Sequence, residues 1–291
     1  MINFSIIVPT FNSPKKTVRL LKTLKLKTHK DVEVIIVDDQ STVNIDILLK
    51  YIEKFENISF FINPNKGAGA ARNEGLKLSK GKWIIFADAD DFFLKDYYES
   101  ISLYKNSSAD IIYFHCHSCY ENSTQVADRH VHVNHLLSNY ILAKSISCEL
   151  ALRTRWVTPW GKMINRKFIL LNEIVFDNVR VSNDIYFSVK AGILANEIEG
   201  SDRVIYCITK SNSSLTAGKS SEDYKIRTES LAKASRYVCE HLNYTEQKMT
   251  GWSSKKWILK DSRMFNVSIL NVFTSYIILK KNGLGLFRLR G

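Results

Sequence analysis

Two groups of carboxylates follow short apolar runs in the first third of the chain. The run Val34–Val37 leads into Asp38–Asp39, and the run Trp83–Ala87 leads into Asp88–Asp91. Asp is rarely buried without a partner, and open α/β sheets bind ligands at the carboxyl ends of their strands. We therefore expect the two groups to lie at adjacent strand ends and to hold a ligand that is cationic or donates hydrogen bonds.

The second group has the spacing Asp-x-Asp. Residues i and i+2 of an extended backbone point to the same side, so Asp88 and Asp90 are expected to face one ligand. Carboxylate oxygens suit Mg²⁺ or Mn²⁺, which usually enter a site together with substrate phosphates. The spacing therefore indicates a metal-dependent nucleotide site. Asp91 has a simpler interpretation as a turn or capping residue, because a helix is predicted around Asp96–Lys105.

The elements that must position these residues alternate between strands and helices. Strands rich in Ile and Val in such an alternation indicate a largely parallel, buried α/β sheet with helices on both faces. The predicted strands are Phe4–Val8, Val32–Val37, Ile58–Ile62, Trp83–Ala87, Asp110–Cys116 and Arg203–Ile208. The predicted helices are one with Val18, Leu21 and Leu24 on one face, then Ala70–Leu78, Leu136–Leu152, Asp184–Leu194 and Glu222–Leu242.

Composition and length indicate an ordinary globular protein. The 291 residues are 45% hydrophobic and 24% charged, which supplies an ample core for one large or two small domains. Five Cys residues at irregular spacing argue against a disulfide framework and fit a reducing cytoplasm. Met1–Pro9 has no basic segment before its apolar run, so no signal peptide is expected.

Positive charge is concentrated at the C-terminal end. The chain has a formal net charge of +12, and Gly251–Gly291 holds eight Lys and Arg side chains against one Asp. Within it, Met264–Leu279 carries no charge and is shorter than the ~20 residues that span a bilayer. We expect a helix lying in the interface of an anionic membrane, with Trp252 and Trp257 nearby. A core helix is an equal alternative, and no recognised motif supports binding of nucleic acid.

Four motifs close or follow the first four predicted strands in order. They are Pro9–Asn12, Val37–Ser41, Asn65–Asn73 and Asp88–Asp91. Together they closely resemble the family 2 inverting glycosyltransferases of the GT-A fold. Two later segments, Trp160–Arg166 and Ser182–Phe187, look like the acceptor-side motifs of bacterial members that build capsules, lipooligosaccharides and O-antigens. The resemblance covers about residues 3–215.

The resemblance implies a GT-A fold that binds a UDP-sugar together with Mn²⁺ or Mg²⁺. It implies that Asp90 binds the metal, that Asp88 holds the ribose hydroxyls or a metal-bound water, and that Asp39 pairs with the uracil N–H. A divalent ion would neutralise the charge that develops on the leaving diphosphate. The other donor-site residues that it implies are Pro9, Thr10, Asn12, Lys66, Gly69, Arg72 and Ala89. For Lys66 and Arg72, a solvated helix start is the alternative.

Inversion by direct displacement needs a general base that takes the proton of the acceptor hydroxyl. In the resembling family an acidic pair before an aromatic-rich helix supplies it; Asp184 matches the second member, whereas Asn183 replaces the usual acid at the first. Capping of the following helix is the competing role for Asp184. The resemblance also implies contacts of Trp160 with a sugar ring and of Lys162 with phosphate, against a core Trp and a solvated Lys.

Other kinds of site are less well supported. Gly67–Arg72 follows the third strand and lacks a third Gly, so it is not a dinucleotide-binding fingerprint. Cys116 and Cys119 have the C-x-x-C spacing near several His residues, but no second Cys pair follows, which disfavours zinc. A nucleotidyltransferase would need a Gly-rich basic loop where Thr10–Pro14 stands. An inactive carbohydrate- or membrane-binding module rests on Asn183 alone.

These patterns predict a UDP-sugar-dependent enzyme on the inner face of the plasma membrane. Residues 1–116 are expected to form the nucleotide-sugar-binding half and 117–215 the acceptor-binding half of one GT-A domain. The segment 216–291 is expected to be a basic, helical membrane-association region. The resemblance implies a glycan acceptor, carried on a lipid in many members, as the second substrate.

Overall fold

A computed structural model describes residues 2–211 and 220–284. Within these ranges the strands are β1 (Phe4–Thr10), β2 (Val32–Asp38), β3 (Ile58–Ile62), β4 (Trp83–Phe86), β5 (Phe92–Phe93), β6 (Ile111–Tyr120), β7 (Lys162–Asn165) and β8 (Ile198–Lys210). The helices are α1 (Pro14–Thr23), α2 (Asp46–Ile52), α3 (Ala68–Leu78), α4 (Tyr97–Ser102), α5 (Val131–Ala143), α6 (Ile146–Arg155), α7 (Arg166–Leu171), α8 (Asp184–Leu194), α9 (Ser221–His241), α10 (Tyr244–Met249), α11 (Ser254–Met264) and α12 (Ile269–Lys281). None of these helices has the length and apolar character that crossing a bilayer requires.

The strands form one mixed sheet in the order β3-β2-β1-β4-β7-β6-β8-β5. The first four in this order are parallel, which confirms the predicted α/β class. Beyond them, β7 runs antiparallel to both β4 and β6, and the short β5 runs antiparallel to β8. The two acidic groups follow β2 and β4, which are separated by β1. Our expectation that they lie at adjacent strand ends is therefore wrong by one strand.

The predicted helix Leu136–Leu152 is in fact two helices. Lys144 has a positive φ of 46° and ends α5, and the Ser145 hydroxyl then caps α6 by accepting the Cys148 N–H at 3.3 Å. The apolar periodicity runs across this break although α5 packs on β6 and β8 and α6 packs on α5 and α8. A serine N-cap after a left-handed residue is therefore what separates them.

The uncharged run Met264–Leu279 is likewise divided. Ser268 starts α12 as its N-cap and accepts the Asn271 N–H at 3.4 Å, so α11 and α12 are separate helices. Ser275 in the middle of α12 faces inward and donates to the Tyr224 hydroxyl of α9 at 2.8 Å. One side of α12 is thus packed against the protein, as the core-helix alternative expects. The predicted boundary between 215 and 216 and the basic residues Arg288 and Arg290 lie outside the described residues.

Helix α8 joins the sheet to the C-terminal helices. On its sheet side Phe187 stacks on Phe176 at 3.8 Å between ring centroids and meets Phe86 edge to face. On its other side Ile185 and Val189 belong to an apolar cluster with residues of α9. Because both sides of α8 are buried, its N-terminal residue Asp184 is held in a defined position near Asp88, which follows β4.

Candidate active site

The loops after β1 and β2 are tied together by Asn12. This residue has a φ of 49°, and its side-chain oxygen accepts the Thr42 N–H at 2.8 Å. The Ser41 hydroxyl in turn accepts the Asn12 N–H at 2.8 Å. Thr10 is buried and its hydroxyl lies 2.9 Å from that of Thr17, so its side chain supports the start of α1. Pro9, also predicted to line the nucleoside pocket, is buried in β1.

Asp39 connects the end of β2 to the start of α3. Its carboxylate accepts the Gly67 N–H at 2.8 Å and the Asn63 side-chain N–H at 2.7 Å. Gly67 has a φ of 114°, which a residue with a Cβ rarely adopts. Lys66, just before it, is exposed and has no side-chain hydrogen bond or ion pair to the parts of the chain that the structure describes. Asp39 therefore holds the Gly-rich turn that brings α3 to this edge of the sheet.

Arg72 of α3 is the central side chain of the site. It is only 7% exposed, and its guanidinium donates to Asp88 at 2.6 Å and to the Asn183 side-chain oxygen at 2.9 Å. The same group lies 5.4 Å from the ring centroid of Phe176. One cation therefore joins the acidic group after β4 to the segment that carries Asp184.

Gly69 allows α3 to lie close to the segment that leads into α8. A Cβ at this position would lie 2.2 Å from the carbonyl oxygen of Asp177 and 3.1 Å from the Cβ of Asn183. Both neighbours belong to the segment that leads into α8, so only glycine lets α3 pack so closely against it. Asn183 precedes α8 but makes no capping hydrogen bond to it, because its oxygen accepts from Arg72.

Asp184 is the first residue of α8 and lies beside this arginine. Burial raises the pKa of its carboxyl, while the positive charges of Arg72 and Arg227 act in the opposite direction and Asp88 adds to the rise. Among the described residues no other side chain is hydrogen-bonded to it. It is thus a carboxylate whose proton affinity is increased and whose oxygens remain available, as a general base requires.

The acidic group after β4 divides into two kinds of residue. Asp88 is paired with Arg72, and burial together with the charge of Asp88 raises the pKa of Asp90. The Arg19 guanidinium donates to the backbone oxygen of Asp90, while the Asp90 carboxylate has no partner in another residue of the described chain. Ala89 between them is buried. Asp88 and Asp90 therefore repel each other electrostatically and favour a cation.

Asp91 is a turn residue and not a cap of α4: its N–H donates to the Asp88 carbonyl at 3.0 Å, and the N-cap of α4 is Asp96. Its buried side chain accepts the Tyr206 hydroxyl at 2.8 Å and the Thr209 N–H at 2.7 Å. The Tyr206 hydroxyl also accepts the Asp88 N–H at 2.8 Å. Tyr206 and Thr209 of β8 therefore fix the acidic loop. Sequence reasoning missed both, because strand residues over a hundred positions away carry no local signal of such a role.

Trp160 and Lys162 are not where we expected them. Trp160 is 3% exposed and packs edge to face with Trp156. Lys162 is also 3% exposed; its ammonium donates to the Trp156 carbonyl at 2.7 Å, and burial lowers its pKa to about 7. Lys162 begins β7 in the middle of the sheet and is not solvated, and the charge of Asp184 acts on it. Trp160 fits the core-residue alternative.

The carboxylates of the acidic loop fit a divalent ion that takes most of its ligands from substrate phosphates and water. Across residues 2–211 and 220–284 no group of three or more His, Cys, Asp or Glu is arranged to hold a metal by itself. Mg²⁺ and Mn²⁺ sites formed by one or two carboxylates plus substrate phosphates need no such group. The same observation disfavours zinc near Cys116, where His115 and His130 are instead hydrogen-bonded to Ser138 and Ser118.

A family model and curated relatives match this chain. Residues 5–169 match the family model described as Glycosyl transferase family 2. The glycosyltransferase GlyA of Streptococcus pneumoniae is 26% identical over 294 aligned positions, which cover 92% of this chain and 38% of that protein. The poly(ribitol-phosphate) beta-N-acetylglucosaminyltransferase TarS of Staphylococcus aureus is 29% identical over 222 positions, 72% of this chain and 36% of that protein.

Solved structures share the fold. TarS residues 1–349 in complex with UDP-GlcNAc superimpose with a TM-score of 0.61 at 21% identity, covering 97% of this chain and 89% of that one. The mannosyltransferase PcManGT of Pyrobaculum calidifontis, in complex with GDP-Man and Mn²⁺, gives 0.60 at 12% identity, covering 96% and 75%. Matches to the curated relatives span 13–58% of those proteins' own lengths.

Proposed function

The chain belongs to glycosyl transferase family 2, and from this premise we propose that it transfers a sugar from a UDP-sugar to a hydroxyl of a bacterial surface glycan. The transferred group is a hexosyl or N-acetylhexosaminyl residue, and Asp184 acts as the general base of an inverting displacement. The observation that carries the proposal is the position of Arg72 between Asp88 and Asn183. This contact joins Asp88 to the segment that carries Asp184, which supports a donor site and a general base that lie close together.

The spacing of the acidic groups supports a nucleotide donor. Asp39 and Asp88 follow β2 and β4, with β1 between them. Neighbouring strands lie ~4.8 Å apart, so the two strand ends are separated by roughly 10 Å. This length suits a nucleoside whose base meets Asp39 and whose ribose meets Asp88. UDP-GlcNAc is the ligand of the TarS structure that shares this fold, which supports a uridine donor.

Asp90 and Asp88 would hold the divalent ion. When bound, Mn²⁺ or Mg²⁺ supplies positive charge that stabilises the leaving diphosphate. The protein's own contribution is to hold Asp88 through Arg72 and through the Tyr206 hydroxyl. Asp184 would accept the proton of the acceptor hydroxyl as that oxygen attacks the anomeric carbon.

The experiment is calorimetry with UDP and Mn²⁺, followed by a hydrolysis screen over UDP-sugars. We expect UDP to bind only with the metal present and one UDP-sugar to be hydrolysed slowly in the absence of acceptor. Release of diphosphate from a nucleoside triphosphate and a sugar phosphate would favour a nucleotidyltransferase instead. Binding of UDP without hydrolysis of any donor would favour an inactive binding module.

We also propose that the enzyme attaches to the cytoplasmic face of an anionic membrane, where a lipid-linked acceptor would meet it. The outward side of α12 is apolar: Ile269, Leu270 and Phe273 are 88%, 77% and 61% exposed. Lys280 and Lys281 form the last turn of the same helix. An apolar face bordered by cations matches a surface whose lipid headgroups are anionic and whose interior is apolar.

Vesicle co-sedimentation tests this attachment with the double variant Leu270→Ser/Phe273→Ser. Both side chains point to solvent, so the fold should persist, and binding to vesicles containing phosphatidylglycerol should fall at least tenfold. The control is Leu142→Ser/Leu171→Ser, which removes two side chains that are 84% and 73% exposed elsewhere. Equal binding of both variants and the parent protein, or binding that ignores salt, would contradict the proposal.

A further inference from the structure

A small pocket lined by basic side chains lies between α5, α6 and the start of α11. Its volume is about 130 Å³, and four of its lining residues are His132, Arg155, Lys256 and Lys260, with Trp257 as an aromatic wall. Pockets for whole drug-sized ligands are usually ~300–1,000 Å³. The size therefore suits a single small charged group of a larger molecule.

Within the described residues these cations form no salt bridge, although the charge of Lys260 acts on the buried carboxylate of Asp261. No ion pair in the described part of the chain involves Arg155, Lys256 or Lys260. The three surrounding helices carry two carboxylates, and both are engaged: Glu149 pairs with Arg153, and Asp261 pairs with Arg227.

The sequence of the segments 212–219 and 285–291 contains no Asp or Glu. The cations are also close enough to affect one another. Burial lowers the pKa of His132, and the positive charges of Arg155 and Lys260 lower it further. Like charges held together in this way destabilise the folded protein, and a bound anion would remove the repulsion.

The backbone adds to the positive potential. Ser253 caps α11, an 11-residue helix, and accepts the Lys256 N–H at 3.4 Å. The positive end of a helix dipole favours anions, phosphate in particular. Three independent features thus converge on one cavity: a cluster of cations that form no salt bridge within the described residues, a helix N-terminus, and room for one small group.

The pocket is close to the candidate active site, with Trp257 and Arg227 between them. The Arg227 guanidinium lies 5.9 Å from the centroid of the Trp257 ring, and it donates to the Ser182 hydroxyl at 3.1 Å. Ser182 is two residues before Asp184, and the charge of Arg227 favours the ionised form of that carboxyl. The side chain of Trp257 and that of Arg227 therefore separate the pocket from the segment that carries the base.

We propose that this pocket binds a phosphate group of the acceptor, so that the enzyme uses phosphate-bearing glycans. The inference rests on the proposed function for the identity of the acceptor, but the anion site itself does not. Arg155, Lys256 and Lys260 bind the phosphate, and Trp257 supports the part of the acceptor that continues toward Asp184.

The test uses the full chain saturated with UDP and Mg²⁺, so that the donor site is occupied. Inorganic phosphate is titrated at constant ionic strength, and thermal stabilisation reports its binding. In Arg155→Gln/Lys260→Gln the half-saturating phosphate concentration should rise at least tenfold. In the control Lys280→Gln/Lys281→Gln, which removes the same charge from the last turn of α12, it should not change. Equal phosphate affinity in all three proteins, or equal weakening in both variants, would overturn the site.

Two further measurements are needed. One distinguishes a phosphate of the acceptor from a phosphate of a lipid headgroup, and the other tests the proposed function independently of the pocket. Binding to vesicles of phosphatidylcholine and phosphatidylglycerol should fall in Lys280→Gln/Lys281→Gln, because those cations border the proposed membrane face of α12, and should fall no further in the pocket variant. A loss confined to the pocket variant would mean that the pocket binds a lipid headgroup, and it would overturn the acceptor assignment. Donor hydrolysis without acceptor should be unchanged in both variants; its absence in the parent protein would contradict the proposed function while leaving the phosphate titration valid.

Discussion

Replacement of Asp184 by Asn should separate catalysis from stability. The substitution keeps the size of the side chain and removes the proton acceptor. A general base contributes ~10²–10⁴-fold in rate, and each tenfold corresponds to about 1.4 kcal/mol. We therefore expect a loss of about 3–5 kcal/mol in transition-state stabilisation, with the affinity for UDP-sugar changed less than threefold.

The free energy of unfolding of the same variant at pH 7 should be equal to or higher than that of the parent protein. Burial raises the pKa of Asp184, so between the ordinary Asp pKa and the raised one the folded protein binds more protons than the unfolded chain. The free energy of unfolding must then fall as pH rises through that window. At pH 7 the Asn variant is free of this penalty and loses only the charge at the N-terminus of α8, worth ~0.3–1 kcal/mol. We expect it to unfold at the same or a higher denaturant concentration, with the difference disappearing in acid.

The assay is turnover with the donor found in the hydrolysis screen, combined with urea unfolding at pH 7 and at pH 4. A matched control is Asp177→Asn, seven residues earlier, whose carboxylate pairs with the half-exposed Lys233 at 2.5 Å. It should lose at most ~1 kcal/mol of stability and keep its turnover within about threefold of the parent, since the base itself accounts for ~10²-fold or more. Loss of donor binding in Asp184→Asn with the residual rate intact would refute the assignment and make Asp184 a donor-site residue.

Two further predictions concern the metal and the approach of α3. In Asp90→Asn, both sugar transfer and UDP-dependent Mn²⁺ binding, measured by electron paramagnetic resonance, should be lost. The control Asp96→Asn changes an exposed carboxylate and should keep both. Full activity of Asp90→Asn in EDTA would contradict the metal assignment. Gly69→Ala should cost ~1–3 kcal/mol of stability. It should also reduce turnover, because the new Cβ displaces backbone next to Asn183. In the control Gly75→Ala the new Cβ meets the Ile7 side chain at 2.4 Å, so this variant should lose stability alone. Equal turnover per folded molecule in the two glycine variants would contradict this account of Gly69.

Local sequence patterns determined the elements that carry the site. The strand Ile58–Ile62 and the helix Asp184–Leu194 have the predicted bounds. The other predicted strands and helices of the first 116 residues are present with different ends, and the remaining elements were too short for their hydrophobic period to predict them. A hydrophobic pattern with a period of two or of 3.6 residues involves residues a few positions apart, so the sequence alone reveals it. The same holds for Asp88 and Asp90, whose spacing is a property of three consecutive residues.

Tertiary structure alone decided which of these residues meet. Arg72 and Asn183 are 111 positions apart, and Tyr206 lies 118 positions from the N–H of Asp88 that it accepts. It also decided that Lys162 is buried against Trp156 and that Ser275 faces α9, although each has a polar side chain. A side chain's environment is set by long-range packing, in which a buried polar group needs only one well-placed partner. The sequence therefore determined the kind of chemistry that this protein carries, and the packing of α3, α8 and β8 decided which side chains surround it.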